Sequence, residues 1–289
     1  MKRLAPLCLA CFFLFFGHRV SIAVTEDERA VFIEEFITAA IAEIGYTRAA
    51  NGYTKYADWS GGKKYGQWCS DFVSWCVARA DENLSAKLLD VLYPMQTSSA
   101  AGVKWHTERG RYVSATGILK GFGAQWHRAD GVPLAQRPYV PRRGDLIYFE
   151  WYKYNRIDHV GIVEYVRMDP GGSYIIHTIE GNNVVLGKKQ SGVERYSYPL
   201  DDPSIRAFGT TRDDVGTELR AGSEGPLVKE FQRMLVENGY DEVVLTGNYG
   251  SHTVRAVKNL QETHGLEATG VADRLTQAAL GFPERADYP

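Results

Sequence analysis

Gln67-Trp68-Cys69-Ser70-Asp71-Phe72-Val73-Ser74-Trp75-Cys76 decides how the rest of the chain is read, because a polar loop gives way there to an amphipathic helix at a cysteine. Over Trp68–Ala80, Phe72, Val73, Cys76, Val77 and Ala80 fall on one helical stripe. A cysteine at a helix start meets unpaired N–H groups and the positive end of the dipole, and both favour its thiolate. Cys76 lies seven residues on, about 10 Å along the axis, past the roughly 7 Å Cα separation that a disulfide tolerates. The two are expected as separate thiols, Cys76 as a small core residue and Cys69 as a candidate nucleophile.

Upstream, a Gly-, Tyr- and Lys-rich loop from Gly45 to about Gln67 follows an earlier helix. That helix opens on the capping box Thr25-Glu26-Asp27-Glu28, carries Ile33, Phe36, Ile37, Ala40 and Ile44 on one stripe, and is expected to end at Gly45. Before it, Lys2 and Arg3 precede the apolar run Leu4–Phe16, and Ser21-Ile22-Ala23 offers the small residues a signal peptidase reads. That run is too short to span a bilayer, which takes about 20 residues. Residues 1–23 are therefore expected to be a cleaved secretory signal. The mature chain from Val24 is expected to hold no membrane span and to act outside the cytosol, secreted or in the cell wall or periplasm.

Composition bounds the classes that remain. With 44% hydrophobic and 24% charged residues over 289, the chain is ordinary globular protein with room for two domains. A formal charge of −2, more negative once Lys2, Arg3 and Arg19 are removed, gives no general attraction to nucleic acid. Four cysteines are too few for a disulfide scaffold, and their spacing fits no zinc cluster.

Downstream, residues 81–140 give weak signals, and from Arg142 the period changes to that of strands. Asp145–Phe149, His159–Val166, Ser173–Glu180, Gly192–Tyr198 and Ser204–Phe208 read as strands between turn residues. Helices followed by antiparallel strands make an α+β domain. The polar stretch Thr210–Ser223 reads as the linker to a helical tail. There Gly225-Pro226 starts a helix that Asn238-Gly239 stops, a second runs from Ser251 or His252 to Gly265, and a third spans Asp273–Leu280. Val-Lys-x-(Phe/Leu)-Gln occurs at Val228–Gln232 and again at Val257–Gln261, a hint of an internal repeat.

A cysteine nucleophile needs a histidine, and the histidine an orienting group. His252 and His264 belong to the tail, and His106 and His127 to the weakly patterned middle. Strand arithmetic separates the other two. Asp169-Pro170-Gly171-Gly172 is a strong turn, and a turn centred between Pro170 and Gly171 pairs residues whose numbers sum to 341. His159 then faces Asn182 with Glu180 as its diagonal neighbour, whereas His177 falls on the other face with Ile175 and Ile179. A one-residue slip would exchange the faces.

These residues resemble a known family. The Gln67–Cys76 helix, Gly144-Asp145-Leu146-Ile147-Tyr148-Phe149, Asp158-His159-Val160-Gly161-Ile162-Val163 and Ile179-Glu180-Gly181-Asn182 are similar, in order, to the signatures of the CHAP family, cysteine- and histidine-dependent amidohydrolases and peptidases. The resemblance covers about residues 25–210. It implies a papain-like α+β fold, with N-terminal helices packed on an antiparallel sheet, and hydrolysis of peptidoglycan amide bonds. It makes Cys69 the nucleophile, His159 the base and then the acid, Glu180 the residue that orients His159, and Asn182 an assistant. Some members carry an acidic calcium loop before the cysteine; here Asp58 is the only acid in that stretch, so no metal and no cofactor are expected. Tyr56, Tyr65 and Gln67 are candidate partners for the oxyanion, and Trp151 a candidate cleft wall.

Leu245-Thr246-Gly247-Asn248-Tyr249-Gly250 and Thr253–Gln261, closed by Gly270, Thr276 and Leu280, resemble the three-helix peptidoglycan-binding domain. The tail carries ten acids and six bases, so its binding cannot rest on bulk positive charge. The expected organisation is a signal (1–23), a CHAP-like domain (24–209), a linker (210–222), a peptidoglycan-binding domain (223–281) and a short end (282–289). The expected protein is a monomeric peptidoglycan hydrolase, an N-acetylmuramoyl-L-alanine amidase or a stem- or cross-bridge endopeptidase. The rivals are a silent wall-binding protein and a same-fold amidase on another substrate.

Overall fold

Helix α1 (Glu26–Ile41) starts on its capping box, with the Thr25 hydroxyl accepting the Glu28 N–H at 3.2 Å and the Glu28 carboxylate accepting the Thr25 N–H at 2.9 Å. In the computed structural model the described residues are 24–62, 66–119, 121–127, 138–152, 156–184, 190–212 and 215–281. The expected signal, Tyr65 and the end from 282 lie outside them. α1 stops short of Gly45, and that glycine, at φ +92°, instead turns the chain so that its N–H donates to the Val193 carbonyl. A short α2 (Lys55–Ser60), unforeseen in the sequence, follows, and α3 (Cys69–Leu84) begins at Cys69 itself.

The weakly patterned middle holds α4 (Ser99–Glu108), β1 (Tyr112–Ser114), β2 (Ile118–Leu119) and β3 (Gly123–His127). The strand run matches its sequence pattern closely: β4 (Leu146–Phe149), β5 (His159–Met168), β6 (Tyr174–Val184), β7 (Ser191–Pro199) and β8 (Ile205–Gly209). Six strands form one antiparallel sheet in the order β1-β8-β4-β5-β6-β7. Residues alternate between its faces. One face buries Leu146, Tyr148, Val160, Ile162 and Ile179 against Phe36 of α1 and Phe72, Val73 and Cys76 of α3. The other buries Val113, Ile147, Phe149, Val163, Ile176 and Phe208. This is the expected α+β architecture.

The register of β5 on β6 contains a correction to the strand arithmetic. Next to the turn, Met168 pairs with Tyr174 and Tyr165 with His177, one residue off the expected sum. An irregularity at Glu164 then restores it, so that Val163 pairs with Thr178 and Ile162 with Ile179. The expectation fails at the hairpin and holds toward the site.

The expected linker is not one. Val215–Thr217 form β9, which pairs with β3 (Gln125↔Thr217, Trp126↔Gly216) in a second, three-stranded sheet, β2-β3-β9. Leu219 is fully buried in the core of the C-terminal module and exchanges backbone hydrogen bonds with Ala272. That module is α5 (Pro226–Glu237), α6 (Ser251–Thr263) and α7 (Arg274–Ala279). The suspected repeat is physical. Gln232 donates to the Asn248 carbonyl and Thr253 hydroxyl and accepts the Gly247 N–H. Gln261 likewise donates to the Val271 carbonyl and Thr276 hydroxyl and accepts the Gly270 N–H. The module also grips the β2–β3 hairpin: Phe122 packs on its core, the Ser223 hydroxyl donates to the Gly121 carbonyl at 2.6 Å, and Gln277 donates to the Thr217 carbonyl at 3.0 Å.

Candidate active site

Cys69 owes its place to Trp68. That indole is buried and stacked on Tyr56 at 5.3 Å, and it caps α3 without a side-chain hydrogen bond. The first-turn N–H groups of α3 are thus not taken by a capping side chain. Cys69 is 4% exposed and lines a cleft of about 560 Å³, together with Gln67, Ser70, Ser98, Tyr152 and Arg156. Both Cys69 and Cys76 are free thiols; Cys76 lies in the core, where burial raises its pKa well above the thiol range.

His159 opens β5 and is 2% exposed. Trp151 stacks on its ring at 4.1 Å between centroids and 22° between planes. The Asp158 carboxylate holds that cover in place by accepting the Trp151 and Tyr152 N–H groups at 3.0 Å. Nε2 of His159 meets Glu180 Oε2 at 3.0 Å, which leaves Nδ1 as the nitrogen for Cys69. Glu180 is fully buried and held by more than the histidine. Thr178 Oγ1 donates to Oε1 at 2.6 Å, and Asn183 Nδ2 donates to Oε2 at 2.8 Å.

The charges follow from these contacts. Burial opposes a thiolate at Cys69, but the hydrogen bond and charge of His159, with the Val160 and Ser70 N–H groups, hold its pKa below the usual thiol value. Burial likewise opposes an imidazolium at His159, yet Cys69 and Glu180 push its pKa up to about 9. Glu180 would be raised by burial; His159, Thr178 and Asn183 lower it instead. A thiolate–imidazolium pair backed by a carboxylate is the state these shifts favour.

The structure thus brings Cys69, His159 and Glu180 together. It sends Asn182 elsewhere. Asn182 sits at φ +64° in the irregularity between β6 and β7, and its amide donates to Gln67 Oε1 at the cleft rim. The amide on Glu180 is that of Asn183, which the sequence reading missed because the bulge reverses the alternation of faces after Gly181. Thr178, two residues before Glu180 on the same face, was readable from period 2. Tyr56 is a second correction. It is fully buried in the core, with its hydroxyl donating to Glu43, and is not part of the cleft. Tyr65 lies outside the described residues. His177 stacks on Tyr165 and shares a hydrogen bond with Ser197, away from the site, and His106 is a core residue on the Gly102 carbonyl, kept neutral by burial.

Gly161, beside Glu180, has no room for a side chain: a Cβ there would lie 2.7 Å from Glu180 Cγ and 3.3 Å from Ile147 Cγ2. Gly161→Ala is expected to push the carboxylate off His159. Turnover should fall by roughly 100-fold, the scale of an ångström misplacement at a reacting group, with the protein still folded by circular dichroism. Unchanged turnover would contradict the role given to the Glu180 contact.

Comparison with known proteins places two domains on the chain. The CHAP domain matches residues 58–182 and a peptidoglycan binding domain matches residues 224–280. A curated relative, the Bacillus licheniformis protein called "Probable N-acetylmuramoyl-L-alanine amidase", is 35% identical over 85 residues, 28% of this chain. The match spans 24% of that protein's length. Among solved structures, Ly7917 aligns at 15% identity over 62% of each chain with a TM-score of 0.33. A peptidoglycan-binding protein from Clostridioides difficile aligns at 23% identity over 47% of this chain and 92% of its own, with a TM-score of 0.22. Those scores are too low to establish a shared overall architecture.

Proposed function

The chain carries a CHAP domain over residues 58–182 followed by a peptidoglycan binding domain over 224–280, and from this we propose that it is an exported peptidoglycan hydrolase that cuts an amide bond through Cys69. The observation that carries the reading is the buried line of Glu180, His159 and Cys69, ending at the head of α3 in an open cleft. The Cys69 thiolate attacks the amide carbonyl. The oxyanion that forms is met by backbone N–H at the helix start and by the Gln67 amide, whose oxygen is occupied by Asn182 so that its NH2 remains to donate. His159 passes its proton to the leaving amine as the C–N bond breaks, giving a thioester and neutral imidazole. Water then attacks the thioester with His159 taking its proton, which releases the acid and restores the pair. Glu180 offsets the imidazolium charge throughout.

The C-terminal module holds the enzyme on the wall, which raises the local concentration of substrate at the cleft. Digestion of purified peptidoglycan followed by mass spectrometry tests the whole reading. One amide position should open, with a new amine and carboxyl. Wall binding without any new product would leave a binding protein instead.

A pH profile follows from the shifts. Activity needs Cys69 deprotonated, so it is lost in acid as the thiol, lowered from its usual value, takes up its proton. It also needs His159 protonated, so kcat/KM should fall as pH rises through about 9. A rate that rises through about pH 8.5 and then holds a plateau, as for an isolated thiol, would contradict the pair.

A further inference from the structure

The wall of the cleft formed by α4 takes no part in the mechanism above. Ser98, Ser99 and Ala100 line the cleft with Cys69, Ser70 and Arg156. The Ser98 hydroxyl accepts the Ala101 N–H at 3.2 Å and its carbonyl accepts the Gly102 N–H at 3.1 Å. Ser99 and Ala100 therefore supply the first-turn N–H donors that these caps leave, at the positive end of a ten-residue helix. Ser70 gives a second and independent sign. It is 6% exposed, its hydroxyl has no hydrogen-bond partner, and it borders both the cleft and a water-sized void of about 10 Å³ shared with Ser98, Ser99 and Gly102. Arg156 is exposed and is the one cation among the described residues lining the cleft. Asp158, the one acid among the described residues lining the cleft, has both carboxylate oxygens engaged by the Trp151 and Tyr152 N–H groups.

First-turn N–H donors, a guanidinium and a buried, unmatched hydroxyl, all from residues that line one cleft, suit an anion with two oxygens in a plane. We propose that Ser70, the α4 N-terminus and Arg156 form a carboxylate subsite, so that the substrate is an acidic peptide with a free carboxylate on the residue next to the scissile amide. This rests on the hydrolase reading for the identity of the cleft. Cys69 and Ser70 are consecutive, with Cα atoms about 3.8 Å apart. Both line one cleft, so a carboxylate held there lies close to the bond that Cys69 attacks. The carboxylate can be that of an internal residue or of the peptide's C-terminus.

Synthetic muramoyl stem peptides in three forms test the proposal: all carboxylates free, only the internal carboxylate made a carboxamide, and only the C-terminal one made a carboxamide. One of the two amidated forms should lose at least tenfold in kcat/KM, which identifies the source. Arg156→Gln should lose at least tenfold on the free form and no longer distinguish it from that amidated form. Cleavage of all three within twofold, or full discrimination by Arg156→Gln, would overturn the subsite while leaving the hydrolase reading intact. Calorimetry of Cys69→Ala with the same peptides, alone and combined with Arg156→Gln, gives an answer that does not depend on turnover. If nothing is cleaved, carboxylate- and Arg156-dependent binding upholds the subsite and its absence overturns it, and only the hydrolase reading falls with the missing cleavage.

Discussion

Cys69→Ala is expected to abolish hydrolysis of purified peptidoglycan, by on the order of 10³-fold or more, since no other group stands where the thiolate does. The fold should survive, because alanine suits the first turn of α3 and only one sulfur leaves the core. Release of soluble muropeptides, followed by chromatography, reads the loss. Cys76→Ala is the control. Cys76 is fully buried among Phe72, Val73 and Val77, so its loss should lower the melting temperature by a few degrees and keep the chemistry. Persistent activity in Cys69→Ala, or a folded but inactive Cys76→Ala, would assign the nucleophile to the wrong thiol.

The second large effect concerns the module. A chain ending at Thr210 should clear intact walls at least tenfold more slowly, because it loses the tether to its substrate. The structure adds a cost that a flexible linker would not carry. Removal of the module also removes β9 from β3 and uncovers Phe122. Phe122 is partly buried there, which is worth about 1 kcal/mol, so the shortened chain should melt roughly 2–4 °C lower. Cleavage of small soluble muropeptides should persist, because Cys69, His159 and Glu180 all precede the cut. Equal wall clearance by both chains would reject the tether, and equal melting would reject the docking of the module on the hairpin.

The parts of this protein that were legible in sequence are those with long periods and strong punctuation. The α3 stripe, the capping box before α1 and the five long strands each repeat a pattern often enough to be counted. α2, β1, β2 and β9 span six, three, two and three residues, too few for a period to emerge. The polar segment 210–222 reads as a linker because Leu219, its one buried apolar side chain among the described residues, stands among polar neighbours. The catalytic pairing was legible for an instructive reason. The Asp169–Gly172 turn sets a register one residue away from the expected one, and the irregularity at Glu164 corrects it before the site is reached. That irregularity coincides with contacts no local pattern reveals: Arg195 pairs with the Glu164 carboxylate and Arg143 donates to its carbonyl. The bulge after Gly181 had the opposite consequence, since it gave Asn183 the place at Glu180 that simple alternation assigns to Asn182.

Catalysis in this site depends on Cys69 being a thiolate held by His159 and, through it, by Glu180. The direct measurement is the rate of Cys69 alkylation by iodoacetamide across pH, read at that residue by mass spectrometry, in the native protein and in Glu180→Gln. The native protein should react with an inflection below the ordinary thiol pKa of about 8.5, and Glu180→Gln should shift that inflection upward. An inflection at or above the ordinary value in the native protein, or the same profile in both, would contradict the thiolate–imidazolium pair.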